Sequence, residues 1–332
     1  MALVKRAVPA DGPGHINLMG RLAKGTGDTL DIPAGIINVG GAGEGFRLAS
    51  ATDWDPTAND DGTVTALALG DDVYIYAVQD SSGTAGLVAS KNATYPDGYT
   101  ADNSRKLGGF HYGRVRPLSD RYSAGATLPV QIVPNSVWDL KHRPTCDPTG
   151  MVEIWDGGPW IDIYLNSADG ATWPDTMGLS VYDAAPVRND NSPYAVWDFY
   201  WMAANAGKRL AMATEMMVAA YGIPGGAQGG SGPNNTGDDT GYGFEAVSCK
   251  NIDQPSGALW HVTWDIGNTD GSYNGTSQGQ DSAFATGSAR HHTALTGGTW
   301  ADGSTAGARC SHYGLLWFVG GLYGFRAACD PL

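Results

Sequence analysis

Basic residues are few in this chain: 20 Lys plus Arg stand against 34 Asp plus Glu, a formal charge of -14 over 332 residues. With no Lys/Arg cluster to break that balance, the surface repels phosphate backbones and anionic headgroups, which excludes nucleic acid as a partner. Cysteine is scarce as well. Cys146, Cys249, Cys310 and Cys329 are scattered, with no CxxC pair and no Cys/His ligand spacing, so structural zinc is not expected and reduced, partly buried thiols are. Long apolar runs are missing. The longest, Leu315 to Phe325, is interrupted by glycines and falls short of the roughly 20 residues that span a bilayer. The first residues, Met1 to Gly14, carry two positive charges but neither the apolar centre nor the small-residue cleavage site of a signal peptide. The expectation is a soluble protein made in a cytoplasm, without membrane insertion.

What the chain does have is glycine, 48 residues of it, with 42% hydrophobic and only 16% charged residues, a balance that suits turn-rich β structure better than long surface helices. Its length predicts two domains. From Ile32 to about Val133, short apolar runs alternate with turn clusters, as in Asp72-Val-Tyr-Ile-Tyr-Ala-Val-Gln79 followed by Asp80-Ser-Ser-Gly83, which are strand and hairpin signals. The run Val39-Gly-Gly-Ala-Gly-Glu-Gly45 lacks the Lys-Ser/Thr ending of a phosphate loop and no helical pattern follows it, so a β turn or bulge is expected. We therefore divide the chain into a mainly β assembly or attachment region, residues 1–135, and a ligand-binding region, residues 136–332.

Helical spacing is clear in one place. Val196, Tyr200, Ala203 and Leu210 recur at that period, with Asn191 or Ser192 and Pro193 as cap and first-turn candidates. A second helix is expected directly after, capped by Thr214, with Glu215 at its positive end, Met216, Met217, Ala220 and Tyr221 on its apolar side, and Gly222 and Pro224 as its stop. Beyond Gly225 the text is loop-rich, notably over residues 229–239, with short strands expected at Phe244 to Ser248, Leu259 to Trp264 and Gly324 to Ala328 and no further helix.

Five motifs in order carry a resemblance. Ala206-Gly-Lys-Arg-Leu210 with Ala213-Thr-Glu215 and Ala219-Ala-Tyr-Gly222 is followed by Val247-Ser248 through Ile252-Asp253, then Gly257-Ala-Leu-Trp260 with Asp265, then Gly297-Gly-Thr-Trp300, and finally Gly324-Phe-Arg326. The series resembles the formylglycine-generating-enzyme branch of C-type-lectin folds. The implied fold class is α+β: a C-type-lectin-like domain of two helices, short antiparallel strands and long loops, preceded by a mainly β region. In such a domain tryptophans fill a small irregular core, so core packing is expected of every Trp here.

Within this branch the C-terminal part resembles the variable proteins of diversity-generating retroelements. In that family, template-directed change at adenines varies scattered positions on a constant lectin scaffold, and the affected codons never become Lys, Glu, Gln, Met or Trp. From His291 to Tyr323 there is no Lys, Glu, Gln or Met, and Trp300 and Trp317 would belong to the scaffold. The resemblance therefore implies a variable region over about 291–323. Its expected varied positions are His312, Gly314, Leu315, Phe318, Gly320, Gly321 and Leu322, then Thr299, Ala301, Asp302 and Thr305 around Trp300, then His291 and His292. Tyr313 and Tyr323 are expected to join Leu315 and Phe318 as ligand anchors. Leu, Phe and Gly crowd this run without a two- or 3.6-residue period, as a solvent-facing binding patch would. Ser90 to His111 resembles a segment of phage tail and prophage proteins, with Arg105, Lys106 and His111 in a structural role. The implied setting is a virion tail or tail fibre, the implied assembly a homotrimer, and the implied partner a protein or glycan on a host or neighbouring cell.

Catalysis finds no support in the residues. The formylglycine-generating enzymes use a closely spaced cysteine pair near the C-terminus, whereas Cys310 and Cys329 stand nineteen apart. The calcium site of sugar-binding lectins is matched only in part by Gln254-Pro255-Ser256, and Trp264-Asp265 lacks the intervening Asn. That leaves the acidic loops around Asp238, Asp239 and Asp270 as the place for a structural cation. No nucleophile and base, or carboxylate pair, falls in a recognisable spacing. We expect no catalytic residue, no metal and no cofactor. The alternatives are an enzyme of the formylglycine-generating type and an invariant structural virion protein.

Overall fold

The computed structural model describes residues 2–5, 16–39, 44–81, 85–189, 194–267, 273–274, 282–284 and 292–332. Two compact units emerge: Met1–Gly113 with Val130–Arg143 and Leu332, and Arg114–Pro129 with Pro144–Pro331. Residues 114–129 thus join the second unit, ahead of the division expected after residue 135. Two arginines explain this. Arg116 donates from Nη2 to the Glu245 carbonyl at 2.6 Å and from Nε to that of Val247, while Arg114 pairs with Asp253 at 2.7 Å and with Asp239.

In the first unit the alternating runs form a nine-stranded sheet ordered Val130–Ile132, Ser104–Arg114, Asp72–Gln79, Ala85–Ser90, Ala2–Lys5, Glu44–Leu48, Gly35–Val39, Ile16–Leu18, with Trp138–Asp139 also on Ser104–Arg114. Asp72–Gln79 and Ala85–Ser90 pair antiparallel with Gln79 opposite Ala85, joined where the hairpin signal lies; residues 82–84 are outside the described set. The glycine-rich run likewise joins two paired strands, Val39 facing Glu44, with 40–43 outside the described residues. Val73, Ile75 and Ala77 pack with Leu30, Phe46 and Leu48 in one core, each of the larger side chains contributing roughly 1.5–3 kcal/mol. Where Ser104–Arg114 meets Trp138–Asp139, only glycine fits: a Cβ on Gly108 would lie 2.2 Å from the Trp138 carbonyl oxygen. His111 is buried with Nδ1 3.0 Å from Asp72, and the Lys106 ammonium sits 4.3 Å from the centre of the Tyr74 ring.

The second unit holds helices α1 (Val196–Asn205) and α2 (Ala213–Ala219), a four-stranded sheet Met151–Glu153, Trp160–Asp162, Ala327–Cys329, Arg209–Leu210, and a six-stranded sheet Tyr273–Asn274, Ser282–Phe284, Gly307–Leu315, His292–Gly297, Trp260–Gly267, Tyr323–Phe325. Pairing is mostly antiparallel; Tyr323–Phe325 runs parallel to Trp260–Gly267. Among the described residues no other α-helix occurs, and none is long and apolar enough to cross a membrane.

Each helix start is held by a carboxylate three residues on. Asp198 accepts the Ala195 N–H at 2.6 Å and Glu215 accepts the Met212 N–H at 2.8 Å, and each acidic side chain also suits the positive end of its helix. Thr214 therefore lies inside α2 rather than capping it, and Leu210 belongs to a strand after α1; Asn191, Ser192 and Pro193 lie outside the described residues. Val196, Phe199 and Met202 of α1 enter a core with Trp260, Leu295 and Phe325, where the rings of Phe199 and Phe325 stack at 4.9 Å.

Gly324-Phe-Arg326 knits these layers together. A Cβ on Gly324 would lie 2.7 Å from Leu259 Cδ1, Phe325 fills the core, and Arg326 is fully buried. Its Nε donates to His261 Nε2 at 3.1 Å, Nη1 to the carbonyls of Asp162 and Ile163, and Nη2 to those of Asp253 and Gln254, so five N–H groups meet five acceptors. Burial first, and the Arg326 charge second, hold the His261 imidazole well below its ordinary pKa, which keeps Nε2 an acceptor. The turn at Arg326 also splits the expected strand Gly324 to Ala328 in two.

Candidate functional site

The strand Gly307–Leu315 lies between His292–Gly297 and Ser282–Phe284, with Leu315 opposite His292 and His312 opposite Leu295. Residues 316–322 then return the chain to Tyr323–Phe325. This return is pinned at several points. The Trp197 N–H donates to the Leu316 carbonyl at 3.0 Å, the Phe318 N–H to Leu315 at 3.0 Å, and the Trp260 N–H to Leu322 at 3.0 Å. Fully buried Asn189 binds the loop's two ends: its amide donates to the Phe318 carbonyl at 3.1 Å and its side-chain oxygen accepts the Tyr323 N–H at 3.1 Å.

Apolar surface gathers around this loop. Trp317 and Val319 are 52% and 58% exposed, and on α1 and the end of Trp260–Gly267 so are Trp197, Trp201, Trp264 and Ile266, each at about half. A row of rings runs Trp197, Tyr200, Trp264, with centroid separations of 5.4 and 5.6 Å. Its centre is fixed, because the Tyr200 hydroxyl donates to the Thr263 carbonyl at 2.7 Å. Burial raises the pKa of that hydroxyl and keeps it protonated. Core packing was expected of every Trp, and these four overturn it. Trp197 and Trp201 stand one turn apart on the side of α1 away from Val196, Phe199 and Met202, a second apolar stripe that the sequence contained. Trp160 and Trp260 do fill cores, and Trp300 packs on Leu165, Ala258 and Leu259.

The expected surface residues divide by burial. Gly320 and Ala301 are exposed, and His312, Tyr313, Leu315, Phe318, Leu322, Asp302 and Thr305 are half-buried. Gly314, Gly321, Thr299, His292 and Tyr323 are buried, and His291 lies outside the described residues. Tyr323 is therefore a core residue and not a ligand anchor: only 6% exposed, its ring packs 5.1 Å from Phe318. Gly321 takes a left-handed backbone, φ 72°, that lets the loop turn inward. Thr299 accepts its role from Asp302, whose carboxylate receives the Thr299 N–H at 2.6 Å and hydroxyl at 3.0 Å and so shapes the loop around Trp300. His312 stacks obliquely on Trp260, centroids 5.5 Å apart.

The acidic loop named for a cation is differently engaged: Asp239 pairs with Arg114 and Asp238 accepts the Thr240 N–H at 2.8 Å, while Asp270 lies outside the described residues. Among the described residues no group of three or more His, Cys, Asp or Glu is arranged to hold a metal ion.

Comparison with known proteins converges on one group. The family model described as Mtd second domain matches residues 22–139. The tail fiber receptor-binding protein of Bordetella phage BPP-1 is 32% identical over 300 residues, 81% of this chain and 74% of that protein. The solved structures titled Major Tropism Determinant M1 Variant and P3c Variant are each 27% identical, over 99% of this chain and 86% of theirs, with TM-scores of 0.68 and 0.69. Fold and sequence place the chain in the class its motifs resemble, the variable proteins of diversity-generating retroelements. Within that class it belongs to the major tropism determinant family.

Proposed function

We propose that this chain is a diversified receptor-binding protein of a phage or prophage tail. A C-type-lectin-like second unit displays a variable surface to a protein or glycan on a host cell, and the first unit joins it to a tail fibre or to fellow subunits. The 32% identity to a phage tail fiber receptor-binding protein carries the reading, and the apolar loop with its neighbouring rings supports it. His312, Tyr313, Leu315, Phe318, Gly320, Leu322, Ala301, Asp302 and Thr305 are its exposed or half-buried contact set, whereas buried Gly314, Gly321, Thr299, His292 and Tyr323 shape the frame beneath. Trp197, Trp264 and Trp317, beyond the reach of adenine-directed change, supply apolar anchors that stay constant while their neighbours vary. Neither chemistry nor a cofactor is assigned to the surface.

One small patch binds weakly, and in a homotrimer three copies engaging together would raise avidity by about 10²–10⁴. The test is to sequence the 3′ end of the coding region across a population and to search nearby for a reverse transcriptase and a near-copy template. Substitutions centred on codons 312–322 and sparing Trp300, Trp317 and Gly324 are expected. An invariant end with no template overturns the diversified role and leaves a binding or structural protein of constant sequence. Sedimentation of the purified chain checks the trimer.

A further inference from the structure

Two cysteines far apart in sequence meet in the second unit. Cys146 stands just inside the unit's long segment and Cys329 ends its last strand, 183 positions away. The Cys329 sulfur accepts the Cys146 N–H at 3.2 Å and lies 3.1 Å from the Thr145 hydroxyl. The Cys146 side chain stands beside it, its thiol also within reach of the Asp147 carbonyl at 3.5 Å and the Met151 sulfur at 3.6 Å, and the Lys208 ammonium, itself paired with Asp162 at 2.6 Å, adds positive charge nearby. Donors and charge converging on one sulfur favour its thiolate.

We propose that Cys146 and Cys329 form an oxidative modification site, closing to a disulfide when a small peroxide reaches them. This proposal is independent of what the protein binds. The Cys329 thiolate attacks one peroxide oxygen; the O–O bond breaks, the departing hydroxide takes a proton to become water, and Cys329 becomes a sulfenic acid. Cys146 then gives up its proton, its sulfur attacks the Cys329 sulfur, the S–O bond breaks, and the second oxygen leaves as water. In sum two thiols and one hydrogen peroxide give one disulfide and two waters: the sulfurs lose two electrons and the peroxide gains them.

The other thiols provide the contrast. Burial pushes Cys310 up to about 12 and raises Cys249, and the neighbouring Cys329 and burial raise Cys146, whereas Cys329 alone is brought down, to about 6, by the adjacent Cys146 side chain first and by the Thr145 hydroxyl and Cys146 N–H after it. Cys146 is half-buried, which gives a small oxidant a way in, while Cys310 is fully buried. The bond would clamp two ends already adjacent, since the Thr145 N–H donates to the Asp330 carbonyl at 3.0 Å.

The experiment uses the full chain, reduced, desalted and given a few equivalents of hydrogen peroxide at neutral pH. Intact mass should fall by about 2 Da, the loss of two hydrogens, with Cys146 and Cys329 recovered in one cross-linked peptide. Cross-linking so long a loop should raise the unfolding midpoint by on the order of 10 °C. In Cys146→Ser the sulfenic acid on Cys329 should persist and be trapped by dimedone. In the untouched protein, iodoacetamide should label Cys329 about tenfold faster than Cys249 or Cys310. Gains of about 16 Da spread over the methionines with the pair still free, or labelling no faster than at Cys249, would overturn the proposal.

Discussion

Replacing Arg326 with methionine keeps much of the side-chain volume and removes every donor. His261 Nε2 and the carbonyls of Asp162, Ile163, Asp253 and Gln254 then lose their partner in a place without solvent. An unsatisfied buried acceptor costs about 1–3 kcal/mol, and some of the five will relax or find one another. Against this, a buried charge no longer needs desolvating. With roughly two or three of the five neutral acceptors left unpaired at that cost, less the relief of desolvation, R326M should lose about 4 kcal/mol and on the order of 10 °C in the midpoint of the second unit. Arg326→Lys keeps the charge but offers three donors from a point, and should lose about half as much. Urea unfolding followed by tryptophan fluorescence measures both. An R326M midpoint and slope equal to those of the parent would refute the view that this guanidinium joins the strands.

Asn189→Ala orphans the Tyr323 N–H; it should cost about 1–3 kcal/mol and speed chymotryptic cutting at Trp317 or Phe318, and an unchanged cutting rate would mean the loop does not depend on this side chain. Trp197→Ala and Trp264→Ala, at half-exposed positions, should each cost under about 1 kcal/mol yet reduce binding to host cells by about tenfold; the buried Trp260→Ala should cost about 3–5 kcal/mol, and equal losses at all three would refute the burial contrast. Asp239 is raised to about 6 by burial and by Asp253. Its folded value thus exceeds its unfolded one, so the stability it contributes is full below about pH 4 and fades as pH climbs through 6, on the order of 1 kcal/mol. Urea midpoints from pH 4 to 7 should show this decline, and Asp239→Asn should flatten it.

Much of the second unit was legible because its motifs report backbone needs. Gly324-Phe-Arg326 was legible as the last motif of the series and as the start of a strand, and the structure puts a close approach at Gly324, a core ring at Phe325 and a buried cation at Arg326. What escaped depends on partners distant in sequence. Phe244 to Ser248 reads as a strand, but Arg116 takes the carbonyls of Glu245 and Val247 that a neighbouring strand would have used, and only Val247 forms a bridge, to Asp253. The exposed face of the variable run was legible only in part. Its broken period follows from alternation between core and surface, with Leu316 and Tyr323 turned in and Trp317 and Val319 turned out. Tyr323 was misplaced for that reason. The thiol pair could not be found by spacing, since sequence separation says nothing of contact between the first and last segments of a unit.

The loop at 316–322 is tied down almost wholly through main-chain atoms: the carbonyls of Leu316, Phe318 and Leu322, the N–H of Tyr323 and the amide of Asn189, which lies outside the loop. Every amino acid except proline brings the same carbonyl and the same N–H to its position. Such a frame leaves the outward positions Trp317, Val319 and Gly320 free of backbone duty, while Leu316 in the core and Gly321 at its left-handed turn still demand their residues. Under the proposed diversification, new side chains at outward positions such as Gly320 would sample a library whose members keep a common backbone, so that there the search for new partners is separated from the risk of unfolding.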